Sequence, residues 1–276
     1  MAKLSHSLVA LVLCLASSAN AADVEVKRQG ATLKLKSQYS ANLALIGRES
    51  GAPAAVEGHV RVRPGTDTTL NGIDEDFVFD GITSVSVTVG GTSRVFVVAL
   101  AVGGELAIKG DRAELGVLVR DTTAKKLSVE GGARESLELE CLGSVIRDKL
   151  TIKGGEANDS TQVSCRVERD IEISLGEGDN AASLRVPFLG GSLKVKTGKG
   201  ADVLEIQETY FDEAKPLKVD LGGGSNALEV THAVVNGAFS YKGGSGRDEL
   251  RLRGVFVGGD LSLKLGARTQ SPWWTR

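Results

Sequence analysis

The chain has 276 residues, in which 33 Lys and Arg nearly balance 35 Asp and Glu. That balance gives no compositional sign of a nucleic-acid or other polyanionic partner. Glycine is abundant at 35, proline sparse at 5 and aromatics only 4%, so small aliphatic side chains must fill the core and glycines must make many turns.

In chain order, the first segment reads as a secretory signal peptide over residues 1–21. Lys3 and His6 form a positive start, residues 8–15 an apolar run, and Ala19 and Ala21 the small residues before a cleavage point after Ala21. Leu13 precedes Cys14, where a lipoprotein signal requires a small residue. The apolar run is shorter than the ~20 residues of a membrane span, and no later stretch approaches that length. The expected location is secreted or periplasmic. Residues 22–32 are expected to form an N-terminal cap or first strand, with Val24 and Val26 on its apolar side.

A repeat then governs the chain. Leu193-Lys-Val-Lys-Thr-Gly-Lys-Gly-Ala-Asp202-Val-Leu-Glu-Ile206 matches Leu217-Lys-Val-Asp-Leu-Gly-Gly-Gly-Ser-Asn226-Ala-Leu-Glu-Val230. Phe239-Ser-Tyr-Lys-Gly-Gly-Ser-Gly-Arg-Asp248-Glu-Leu-Arg-Leu252 matches both. Each unit is apolar-x-apolar, a glycine-rich bend, Asp or Asn, apolar-x-apolar, then a third short element. Unit starts fall at Leu33, Val60, Val85, Leu106, Leu127, Leu150, Ile171, Leu193, Leu217, Phe239 and Leu261. Small insertions are expected within residues 37–56 and 70–80.

Strict alternation puts apolar side chains on one face of each strand. Strands this short cannot bury that face alone, whereas stacked coils pair every backbone group and share one interior. The Leu-x-x-Leu-x-Leu signature of leucine-rich repeats is absent, and a left-handed hexapeptide helix would repeat every ~18 residues. The expected fold is all-β: a right-handed parallel β-helix over residues 33–266, about ten coils of ~22 residues with three short strands each, with a β-sandwich or β-prism as the alternative. Residues 267–276 form a tail or cap, in which Trp273 and Trp274 either plug the last coil or leave it open to a partner. In this pattern the chain resembles the secreted bacterial right-handed parallel β-helix proteins, a group that includes pectate lyases and adhesin passengers. The resemblance implies architecture and transfers no catalytic residue.

One polar position recurs at the same bend: Asp159, Asn180, Asp202, Asn226 and Asp248. Such side chains can bond backbone N–H groups and stack as a turn ladder. Alternatively they bind calcium, since Gly243-Gly-Ser-Gly-Arg-Asp248-Glu-Leu250 resembles the RTX calcium-binding nonapeptide, with Asp202 and Asp248 as the ligands. No other cofactor is indicated.

The outward positions of the first strand are basic: Lys34, Lys36, Arg61, Arg63, Lys109, Lys153, Lys194, Lys196, Lys218, Lys242 and Lys264, interrupted by Glu130, Glu172 and Asp220. The second strand leans acidic through Glu138, Glu140, Glu205, Glu229 and Glu249. Either the two are solvated faces, or Lys153, Lys194, Lys196, Lys218, Lys242 and Lys264 match an anionic polysaccharide or cell-surface component. No aromatic interleaves these lysines as nucleic-acid binding would require.

Cys141 and Cys165, counted from Leu139 and Val163, occupy the same place in neighbouring coils. They are expected either to form a disulfide in an oxidising compartment or to remain buried thiols. Catalytic signals are thin. His59 and His232 lie in distant coils, and neither a metal-ligand spacing nor a nucleophile elbow occurs. The expectation is a non-enzymatic exported structural or binding β-helix. A polysaccharide-active lyase or hydrolase is the alternative, and would need clustered carboxylates in a groove on one face.

Overall fold

A computed structural model describes residues 22–47, 55–112 and 114–266. They form an all-β stack with no helix among the described residues. Three parallel columns of strands rise through the stack, so the chain is a parallel β-solenoid of about eight turns.

The first column aligns Leu33, Val85, Leu106, Leu127, Leu150, Ile171, Leu193, Leu217, Phe239 and Leu261 as direct rung partners. All but Leu261 are essentially buried. A Leu-x-Val strand turns both apolar residues inward, and its neighbours 21–24 residues away repeat this. The second column carries Leu43, Val95, Val117, Leu139, Thr161, Ala182, Leu204, Leu228 and Leu250 inward. The third is short, often a single bridge, and stacks Val102, Ala124, Ile146, Val167, Leu189 and Phe211. Rungs lie ~4.8 Å apart, so each inward side chain packs against its equivalents above and below.

Glycines at the bends answer to this close stacking. A Cβ on Gly244 would lie 1.3 Å from the Gly222 carbonyl oxygen, and one on Gly224 1.7 Å from that of Gly200. Backbone there runs directly over backbone, with no room for a side chain.

The structure has about eight turns where ten coils are expected, and Val60 is one expected rung that is not part of the parallel stack. Leu33 pairs directly with Val85, so residues 37–83 make a detour longer than the expected insertions. Within it, Val60–Pro64 runs antiparallel to both Asn42–Ile46 and Phe77–Phe79. Val60 and Val62 still face the core. Alternation was therefore read correctly there, but strand direction was not.

These strands build the N-terminal cap. Ala22–Gln29 folds back antiparallel on Thr32–Lys36 and covers the first-column edge, while Thr68–Leu70 pairs on its far side. Val60–Pro64 covers the second-column edge. The cap thus reaches well past residue 32. At the other end, Glu249–Arg253, Phe256–Val257 and Leu261–Lys264 each pair on one edge only among the described residues. Leu261 there is 47% exposed. Trp273 and Trp274, expected either to plug the last coil or to leave it open, lie outside the described residues.

Candidate functional site

The bend residues Asp159, Asn180, Asp202, Asn226 and Asp248 form one inward column, each at most 4% exposed. Each side chain bonds the backbone of the coil before it. The Leu137 N–H donates to Asp159 Oδ1 (2.8 Å), Asp159 N–H to Asn180 Oδ1 (2.9 Å), and Asn180 N–H to Asp202 Oδ1 (3.1 Å). The Asp202 N–H donates to Asn226 Oδ1 (3.0 Å), and the Asn226 N–H to Asp248 Oδ1 (3.3 Å). The ladder therefore replaces the strand pairing that the bend interrupts.

Acid and amide alternate along it, and electrostatics gives the reason. Two successive aspartates would set buried carboxylates about 4.8 Å apart. Alternation doubles that separation and supplies a donor between them. Asn180 Nδ2 donates to Asp202 Oδ1 at 2.9 Å, and Asn226 Nδ2 to Asp248 Oδ1 at 3.2 Å. Burial pushes the Asp159 carboxyl up to about 6, against the pull of the Leu137 and Gly155 N–H groups. Burial raises the Asp202 carboxyl as well, opposed by the Thr197 hydroxyl and the Asn180 donors.

Asp202 and Asp248 are two rungs apart, and the Oδ1 of each accepts from the protein itself. Among the described residues no group of three His, Cys, Asp or Glu is gathered as a metal site. An outer ladder that sequence reasoning missed flanks this one: Asn158 Oδ1 accepts from Asp179 N–H, and Asp179 Oδ1 from Ala201 N–H. A hydroxyl ladder serves the next corner, where Thr122 N–H donates to Ser144 Oγ.

The lysines stand on the outer face of the first sheet, but carboxylates interleave them. One column reads Lys109, Glu130, Lys153, Ser174, Lys196, Asp220, Lys242, Lys264. Its neighbour includes Glu172, Lys194 and Lys218. Lys109 pairs with Glu130 at 2.7 Å, Lys194 with Glu172 at 3.4 Å and Lys242 with Asp220 at 3.1 Å. Lys149, not singled out from the sequence, also reaches Glu172, and these lysines hold the Glu172 carboxyl below its ordinary range. Lys153, Lys196, Lys218 and Lys264 have no carboxylate partner among the described residues. Lys194 lies directly opposite Lys218, and Lys242 opposite Lys264. Arg61 and Arg63 do not belong to this face: their strand lies in the cap, where Arg63 binds Asp76 at 2.9 Å.

Cys141 and Cys165 are both buried free thiols. They are not rung partners. Cys141 pairs with Val163, and Cys165 lies two residues further along, where the register becomes irregular after Leu142 and Ser164. The neighbouring Cys141 thiol, together with burial, holds the Cys165 thiol well above its ordinary range. Cys165 is therefore not poised as a nucleophile, since it is the thiolate that reacts. His59 lies against Asp80 at 2.8 Å in the cap region, and His232 occupies a positive-φ corner far from it.

Comparison with known proteins finds no matching family model, no similar curated protein and no similar solved structure. The stack, its ladders and its outer faces are thus the ground on which this chain is placed: it is a parallel β-solenoid.

Proposed function

We propose that the chain is an exported, non-enzymatic binding module whose first sheet recognises an anionic surface glycan. The observation that carries this reading is the like-charge stacking of Lys194 on Lys218 and Lys242 on Lys264. Opposed like charges in adjacent strands are destabilising by a few tenths to ~1 kcal/mol each. Serine occupies the equivalent outer position at Ser240 and Ser262, so the fold does not require lysine there. A row of ammonium groups on a flat, strand-built surface fits a linear polyanion, which would neutralise all of them at once. Export is supported by the charged start, apolar run and small residues of 1–21.

The test is salt elution from immobilised heparin, with a neutral dextran column as control. The wild-type protein is expected to bind heparin alone. A Lys196→Ser, Lys218→Ser, Lys264→Ser triple variant should elute at clearly lower salt, because each neutralised anion contributes to the salt dependence. Elution of wild type in the void, or of the variant together with wild type, would overturn the reading.

A further inference from the structure

The outer face of the second sheet carries a feature independent of the lysines. Arg94, Gly116 and Glu138 are successive rung partners, and beside them Phe96, Leu118 and Glu140 are as well. Because Gly116 has no side chain, the column is interrupted between a cation and an acid. The gap opens a surface cavity of about 280 Å³ lined by these six residues and Val117. Phe96 stands beside it with 40% of its surface exposed.

Gly116 answers to no backbone demand. Its φ is not positive, and a Cβ there would meet nothing nearer than Arg94 Cγ at 3.4 Å, an ordinary contact. This sets it apart from the bend glycines, where a Cβ would strike backbone. A glycine inside a strand weakens it and marks a place where something approaches closely. The charges around the gap tell the same story. Lysines elsewhere pair across a single rung with carboxylates. Arg94, Glu138 and Glu140 make no ion pair with any described residue, because the glycine rung holds Arg94 and Glu138 two rungs apart.

We infer that this cavity is a subsite for a neutral sugar residue, which lays the apolar face of its ring on Phe96 and directs hydroxyls to Arg94, Glu138 and Glu140. Sugar hydroxyls both donate and accept, so one ring can satisfy two carboxylates and a guanidinium together. Few other small ligands combine that with a flat apolar face. The open sides of the cavity suit an internal residue of a chain as well as an end.

The experiment is saturation-transfer NMR on the full protein with β-1,4- and α-1,4-linked glucose tetrasaccharides, N-acetylglucosamine tetramer and its deacetylated, cationic counterpart. Transfer is expected to the ring protons of at least one neutral tetramer. Phe96→Ala should weaken that binding about fivefold or more, the scale of one aromatic contact. Gly116→Val should abolish it while leaving the melting temperature unchanged or raised. That combination separates a filled site from a damaged fold. No transfer from any neutral tetramer, equal transfer in wild type and Gly116→Val, or binding confined to the cationic tetramer would each overturn the inference. Heparin elution should be the same for both variants as for wild type, so this site and the lysine face fail or stand separately.

Discussion

Asp159 is 2% exposed, and its carboxylate oxygens accept from the Leu137 and Gly155 N–H groups. Its carboxyl, raised to about 6 by burial, takes up a proton more readily in the folded chain than in the unfolded one. A raised acid contributes stability that is complete below its unfolded value, near 4, and is lost as pH climbs through about 6. Between those limits the Asp159→Asn variant should therefore show a flatter dependence of stability on pH than wild type, measured by urea denaturation at pH 4.5, 5.5 and 6.5. Equal slopes would show that Asp159 titrates normally. Tyr241 offers a second residue-scale prediction. Its side chain is fully buried, its hydroxyl finds no partner among the described residues, and burial followed by the charge of Asp248 pushes it up. An unsatisfied buried hydroxyl is a desolvation cost without compensation. Tyr241→Phe should accordingly leave stability unchanged or raise it by up to ~1 kcal/mol in a chemical melt; a clear loss would reveal a missed bond. The cysteines behave as core residues in this structure. In a protein beginning at Ala22, which lacks Cys14, Ellman's reagent should detect no reactive thiol in the native state and both Cys141 and Cys165 in denaturant.

At the scale of the element, each rung borrows its stability from two neighbours. Leu193 is fully buried between Ile171 and Leu217, so Leu193→Ala should cost about 2–5 kcal/mol in equilibrium unfolding. The bends are less forgiving. In Gly244→Ala the new methyl would overlap the Gly222 carbonyl carbon and oxygen, and the two coils would have to part. Circular dichroism melting should show this change to be as damaging as the loss of the leucine. Legibility at this scale followed a clear physical line. Leu-Lys-Val-Lys alternation and the glycine bends identified nearly every rung of the first column, because side-chain direction in a strand depends only on parity. Val60 failed for the same reason: Val-Arg-Val-Arg has the right parity, yet alternation is equally present in an antiparallel strand. The offset of Cys165 from Cys141 has a simpler cause: Leu139 pairs with Thr161 and not with Val163, so Cys141 faces Val163 and Cys165 lies two residues further on.

Across the whole molecule, the two ends differ. Antiparallel strands cover the N-terminal end on both sheets and leave only the three-residue strands Thr68–Leu70 and Phe77–Phe79 at its edge, and such short edges recruit another chain poorly. Removing residues 22–31 would uncover the Thr32–Lys36 edge, and light scattering should then show stronger concentration-dependent association than the intact protein gives. Spacing and alternation were enough by themselves to establish an all-β stack, the inward apolar columns and the return of Asp or Asn to one bend, since these depend on residues repeating at a near-constant interval along one chain. The cap, the true number of turns, the pairing of lysines with acids and the cavity at Gly116 required the folded molecule. Each of them depends on which residues become neighbours across coils or by antiparallel return. That adjacency is decided by register and strand direction, to which side-chain polarity alone is blind.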